Sequence, residues 1–314
     1  MLALIGRKGN ARNEKEILEF KKIMNHPYLK KETLALTFGA KILFFESWNW
    51  YYQHTFQIQK AYENSNRTLA FVEKNKAKIK LQPQTYMAAI SGLVSRCINL
   101  NKYDEALKNI AKMESIAEMK GLQIPKSLKT EILSFAIERR LMIYGFNRDF
   151  KKGIDLYEKT KDEIEKHKKS LRQTFFSMYH ELIGLCFVHT KQYDKALSHL
   201  RILMDDTEDK QRSDTFLYAH LLHIITHFEL KNYQLLPYLT KSVQRFAKSR
   251  GFTQETVSLF LKMFNELAKK NSKKEIVQIV TSYRPKFKLL SKQNADDVIQ
   301  GTIDLDYWMA EKLK

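Results

Sequence analysis

The chain has 314 residues, 44% of them hydrophobic and 12% aromatic, with 54 Lys and Arg against 35 Asp and Glu for a formal net charge of +19. That apolar content excludes wholesale disorder. The 10 Gly and 5 Pro are less than half the usual load and exclude collagen, low-complexity chains and turn-rich β sandwiches or barrels, leaving long helices as the expected fabric.

In chain order, periodic segments predict helices over 14–24, 32–46 and 51–74, broken at His26-Pro27 and at Trp48-Asn49-Trp50. They form an aromatic-rich lead-in spanning 1–80. Residues 84–250 then read as four helix pairs, each turning at a polar segment followed by an aromatic: Tyr103, Phe150, Tyr193 and Tyr233, spaced 47, 43 and 40 residues apart. Such an interval holds two helices of about 15–20 residues with their loops. Apolar stripes lead into these turns at Ile90, Leu93, Val94 and Cys97, at Ile137, Leu141 and Tyr144, at His180, Ile183, Gly184 and Phe187, and at His220, His223, Ile224 and His227. Residues 252–314 complete the chain with a pair over 254–270 and 273–283, stopped by Pro285, and a last helix. That helix begins at Asp296 and Asp297 and carries Val298, Ile299, Ile303, Leu305 and Trp308.

The third unit, with Ile183-Gly184, Phe187, Tyr193, Ala196, Leu197 and Leu200, resembles the tetratricopeptide repeat (TPR). Small residues at the Gly184 and Ala196 positions let paired helices approach closely. The other units depart from the pattern, with Val94 at the Gly position, Arg140 at the Leu position, Gly153 at the Ala position and Leu236-Pro237 in the fourth. The spacing exceeds the usual 34 residues. The chain therefore resembles long-helix bacterial TPR-like proteins. That resemblance implies an all-α fold, an α-α superhelix forming one solenoid over 1–314 with degenerate long repeats. A solenoid that opens without a polar capping repeat implies further repeats in longer relatives or pairing with a second copy as a homodimer.

No GxxxxGK[ST], GxGxxG, GxSxG or HExxH motif is present, and the expectation is a non-enzyme without cofactors. Cys97 and Cys186 stand 89 residues apart, giving neither a disulfide framework nor a CxxC site, which suits a reduced, cytoplasmic setting. The apolar start Met1–Ile5 is too short for a signal peptide, and no apolar run approaches the 18 or so residues of a membrane span. His220, His223 and His227 share a helical stripe and are candidate zinc or nickel ligands, but a closed site needs ligands from a second segment. Packed, hydrogen-bonded histidines are the default reading there, with no metal.

The resemblance places the first helix of each pair along an inner groove. The expected partner-binding residues are Glu138, Met142, Met178, Glu181, Leu185, Val188, Tyr218 and Ile225, with Leu221 and Phe228 beside them, and the expected partner is a protein or peptide segment. Past residue 215 the C-terminal helices are an equal claimant to that trough. The alternative is a nucleic-acid or regulatory binder acting through a basic edge at Lys159, Lys161, Lys166, Lys168, Lys169 and Arg172. Lys outnumbers Arg 41 to 13, which weakens base reading and bidentate phosphate grip.

Overall fold

The computed structural model describes residues 11, 14–118, 124–205, 213–252, 254–270, 272–293 and 303–314, and among them every regular element is a helix. The residues group into two compact units, Met1–Ala136 and Ile137–Lys314.

In the first unit, α1 (Glu14–Met24) buries Phe20 against Ala11, Ile17, Ile23 and Tyr51. A short α2 (Pro27–Lys30) leads to α3 (Phe38–His54), which pairs with α4 (Ile58–Lys74). After α5 (Lys76–Leu81), α6 (Pro83–Asn99) packs on both α4 and its own partner α7 (Tyr103–Ile116). Helix α8 (Lys126–Phe146) crosses the division between the units. The expected break at Trp48-Asn49-Trp50 falls instead inside α3, because tertiary partners hold those residues in the helix. The Trp48 indole donates to the Leu29 carbonyl at 3.1 Å, and the Asn49 side-chain oxygen accepts from Asn64 at 2.9 Å and Ser65 at 3.2 Å.

The second unit continues with α9 (Phe150–His167), α10 (Gln173–His189), α11 (Tyr193–Asp205), α12 (Ser213–Glu229), α13 (Leu236–Ser249), α14 (Glu255–Leu267), α15 (Lys273–Gln293) and α16 (Leu305–Lys312). Each helix packs on the next, and α10 also packs on α12. Pro285 does not stop α15. It lies on the exposed face, where water can satisfy the carbonyl its missing N–H leaves open, while Val280, Tyr283 and Phe287 continue the buried seam past it. A proline inside a helix costs about 3 kcal/mol, and burying one phenylalanine side chain returns a comparable amount. Residues 294–302, including the expected helix start at Asp296 and Asp297 with Val298 and Ile299, lie outside the described residues. Helix α16 itself is capped by Asp304, whose side chain accepts from the Tyr307 amide.

One turn geometry recurs through both units. Asn101, Arg148, Lys191 and Lys231 have φ of 56°, 59°, 61° and 60°. The amide after each one donates to the carbonyl five residues back: Lys102 to Cys97 and Asp149 to Tyr144 at 2.8 Å, Gln192 to Phe187 and Asn232 to His227 at 2.9 Å. This is a Schellman cap, and it presents the aromatic two residues on at the start of the second helix or one turn before it. The same cap follows α3 at Phe56 (φ 57°), where Gln57 donates to Tyr52 at 2.8 Å, and follows α13 at Gly251 (φ 74°).

Close approach sets the helix spacing in the second unit. A methyl at Gly153 would meet Cys186 Sγ at 2.5 Å, and one at Gly184 would meet Leu200 Cδ2 at 3.0 Å. Glycine at 153 is thus a requirement of the α9–α10 contact.

Candidate functional site

The eight residues expected along the inner wall separate by depth. Glu138, Met142 and Met178 are half-buried, whereas Glu181, Leu185, Val188, Tyr218 and Ile225 are buried, as are Leu221 and Phe228. Only the first three present accessible side-chain surface, with the other five forming a layer beneath. Glu138 pairs with Arg139 at 3.4 Å, and the Arg139 guanidinium reaches Met142 Sδ at 3.1 Å. The long apolar runs of α10 and α12 reflect burial on nearly every face, a pattern that a helical wheel cannot divide into wall and core.

The C-terminal helix lies over the turns of the second unit. Arg148 grips Asp304 through two bonds of 2.7 and 3.0 Å, and the His189 imidazole donates from Nε2 to the Ile303 carbonyl at 3.1 Å. The Tyr307 ring packs against the stacked pair of Phe150 and His189 at 5.7 and 5.3 Å, under the Arg148 guanidinium. Glu229 receives the Trp308 indole N–H and the Lys312 ammonium, each at 2.6 Å. Trp308 also stacks near Phe228 and Phe264, and Arg284 clamps Asp306, holding that carboxyl below its usual range. The C-terminal helix therefore covers the wall at Phe228. The sequence pattern showed an amphipathic helix there but not its seat, since its partners come from several different helices and from the turn at Arg148.

The candidate metal-ligating histidines diverge. His223 and His227 share one hydrogen bond between their Nε2 atoms at 3.1 Å, Asn232 donates to His227 Nδ1 at 3.0 Å, and His220 packs on the Phe246 ring at 5.2 Å. With Asn232 donating, His227 carries its proton on Nε2 and gives it to His223, so both rings are neutral. A second pair, missed from sequence, joins His180 and His199 through Nδ1 atoms 2.9 Å apart, with Tyr157 edge-on to His199. Nothing in the spacing of 180 and 199 signals it, because the contact is made across two helices. Burial pushes His180 and His223 down to about 3 and His199 to about 4. Among the described residues no three His, Cys, Asp or Glu side chains gather in a way that could hold a metal ion.

All six basic-edge residues are exposed, at the end of α9 and in the turn beyond it. Acidic residues interleave with them: Lys161 pairs with Glu158 at 2.6 Å and Lys168 with Glu165 at 3.3 Å, while Asp162 and Glu163 stand between. The field along this helix is mixed in sign. Both cysteines are free and buried, and burial raises each thiol to about 12, so neither is a thiolate at neutral pH. No helix among the described residues is long and apolar enough to cross a membrane.

Comparisons with protein-family models, curated proteins and solved structures return no match.

Proposed function

We propose that the chain is a non-catalytic protein-interaction scaffold, a TPR-like solenoid of helix hairpins that binds a partner segment along the first helices. The observation that carries this reading is the recurrence of one Schellman turn at 40–47-residue intervals, which repeats the hairpin unit in register. Repeated hairpins whose first helices pack on each other, as α10 does on α12, form an extended wall that suits an elongated partner. The second unit's contact surface is Met142 and Met178, adaptable thioethers suited to varied partners, with Glu138 as the polar orienter. Its C-terminal end is occupied by α16.

Because Leu185 and Val188 are buried, a charge at either would unfold the chain and test nothing about binding. The informative variant is Met142→Glu with Met178→Glu, both at half-buried positions. The full-length variant should keep the wild-type helical signal and thermal midpoint while losing the protein partners that wild type retains from host lysate after nuclease and salt washes. Retention of every such partner by the folded variant removes this wall from the account.

A further inference from the structure

The first unit contains a carboxylate without a counter-ion. Glu46 on α3 lies half-buried in a narrow cleft against α4 and α6, and among the described residues no cation pairs with it. The cleft has about 40 Å³ of space, room for about two or three water-sized groups. Its α6 side is Thr85, Ala88 and Gly92, and a methyl on Gly92 would meet nothing within 4 Å, so that side is open.

The floor carries acceptors, and Asn49, whose Oδ1 already accepts from Asn64 and Ser65, also lines the cleft. Ser65 and Thr68 are buried, and both have committed their hydroxyl protons, Ser65 to the Asn49 side-chain oxygen at 3.2 Å and Thr68 to the Asn64 carbonyl at 2.8 Å. What they offer the cleft is lone pairs. A carboxylate and two hydroxyl oxygens complement a group with several donors and no acceptor, which describes a lysine ammonium. The space admits an ammonium head and is tight for a planar guanidinium. Burial also raises the Glu46 carboxyl above its ordinary value, because the cleft withdraws water from it and no cation offsets that loss.

We infer that the α3–α6 cleft is a binding site for the lysine side chain of an extended partner peptide, with Glu46 as its counter-ion. The inference rests on the scaffold reading and adds a specificity to it. Charge makes the test discriminating: a chain of net charge +19 attracts acidic peptides in general, so selection of a basic one requires a particular site.

The experiment is selection of a random nine-residue phage-display library on the immobilised full-length protein, followed by fluorescence polarisation with the enriched peptides. Enriched sequences should share a lysine, and its replacement by norleucine should weaken binding about tenfold or more, the loss expected for one charge-assisted contact. Glu46→Gln should bind the parent peptide equally weakly and be indifferent to the norleucine exchange. That variant is near-isosteric and removes a half-buried charge, so its thermal midpoint should not fall, which separates lost binding from lost folding. Enriched peptides with no shared lysine, or unchanged affinity in Glu46→Gln, overturn the cleft and leave the scaffold standing. Failure to enrich any peptide overturns both.

Discussion

Asn101, Arg148, Lys191 and Lys231 each hold a left-handed backbone that an L side chain adopts at a cost of about 1–2 kcal/mol. Glycine is the usual occupant of such a cap, and it stands at only one of the six turns, Gly251. Lys231 is exposed and makes no ion pair among the described residues, so Lys231→Gly should stabilise the protein by about 0.5–1 kcal/mol in urea denaturation. Arg148→Gly gains the same backbone relief but loses the bidentate Asp304 contact and the cover over Tyr307. It should be neutral or destabilising, and a gain equal to that of Lys231→Gly would mean that α16 is not anchored there. The contrast explains why a backbone-unfavourable arginine is tolerated at that turn. The four turns were legible in the sequence because an aromatic followed each one. The turn at Phe56 was not, because Ile58 stands where the aromatic would and the tryptophans nearby resembled a break.

At the scale of the helix, the sequence showed which faces are buried wherever the helix has one wet side. Ile90, Leu93, Val94 and Cys97 on α6 are buried, as are Ile110 and Met113 on α7. The periodicity failed on α10 and α12, where residues at successive positions are buried and no stripe separates an inner wall from a core. Leu185 and Ile225 were thus read as contact residues when their side chains are already occupied by packing. Gly153 looked like degeneracy of the motif because its reason lies on another helix, in the sulfur of Cys186. Gly153→Ala would ordinarily gain about 0.5–1 kcal/mol of helix propensity. Against Cys186 it should instead destabilise by about 1–3 kcal/mol, the range for overpacking a tight core. In a Cys186→Ala background the same substitution should become neutral or stabilising. Additive effects in the four-member cycle would mean that the sulfur moves aside freely and that helix spacing is set elsewhere.

For the whole chain, the buried histidine pairs couple stability to pH. His180, His199 and His223 have native values of about 3, 4 and 3, against about 6.5 when unfolded. Between pH 6.5 and 4 the unfolded chain therefore binds protons that the native state refuses, so unfolding becomes easier as pH falls through that window. The His180–His199 pair thus refuses two protons that the unfolded chain binds, and His223 refuses a third. Each refused proton contributes a slope approaching about 1.4 kcal/mol per pH unit once the unfolded rings are charged. Urea denaturation at half-unit steps from pH 7 to 4.5 should show stability dropping toward acid at a slope that steepens to roughly three times that value. His180→Phe with His199→Phe should shift the whole curve yet flatten it by about two of those three shares. Self-repulsion among the surplus surface cations also grows in acid, but salt screens it while leaving desolvation of buried rings intact. The flattening should therefore persist at high salt. A slope unchanged by the double variant would mean that these rings take up protons in the native state, and that the α10–α11 pair is held by packing against Tyr157 and Phe187 rather than by the shared proton.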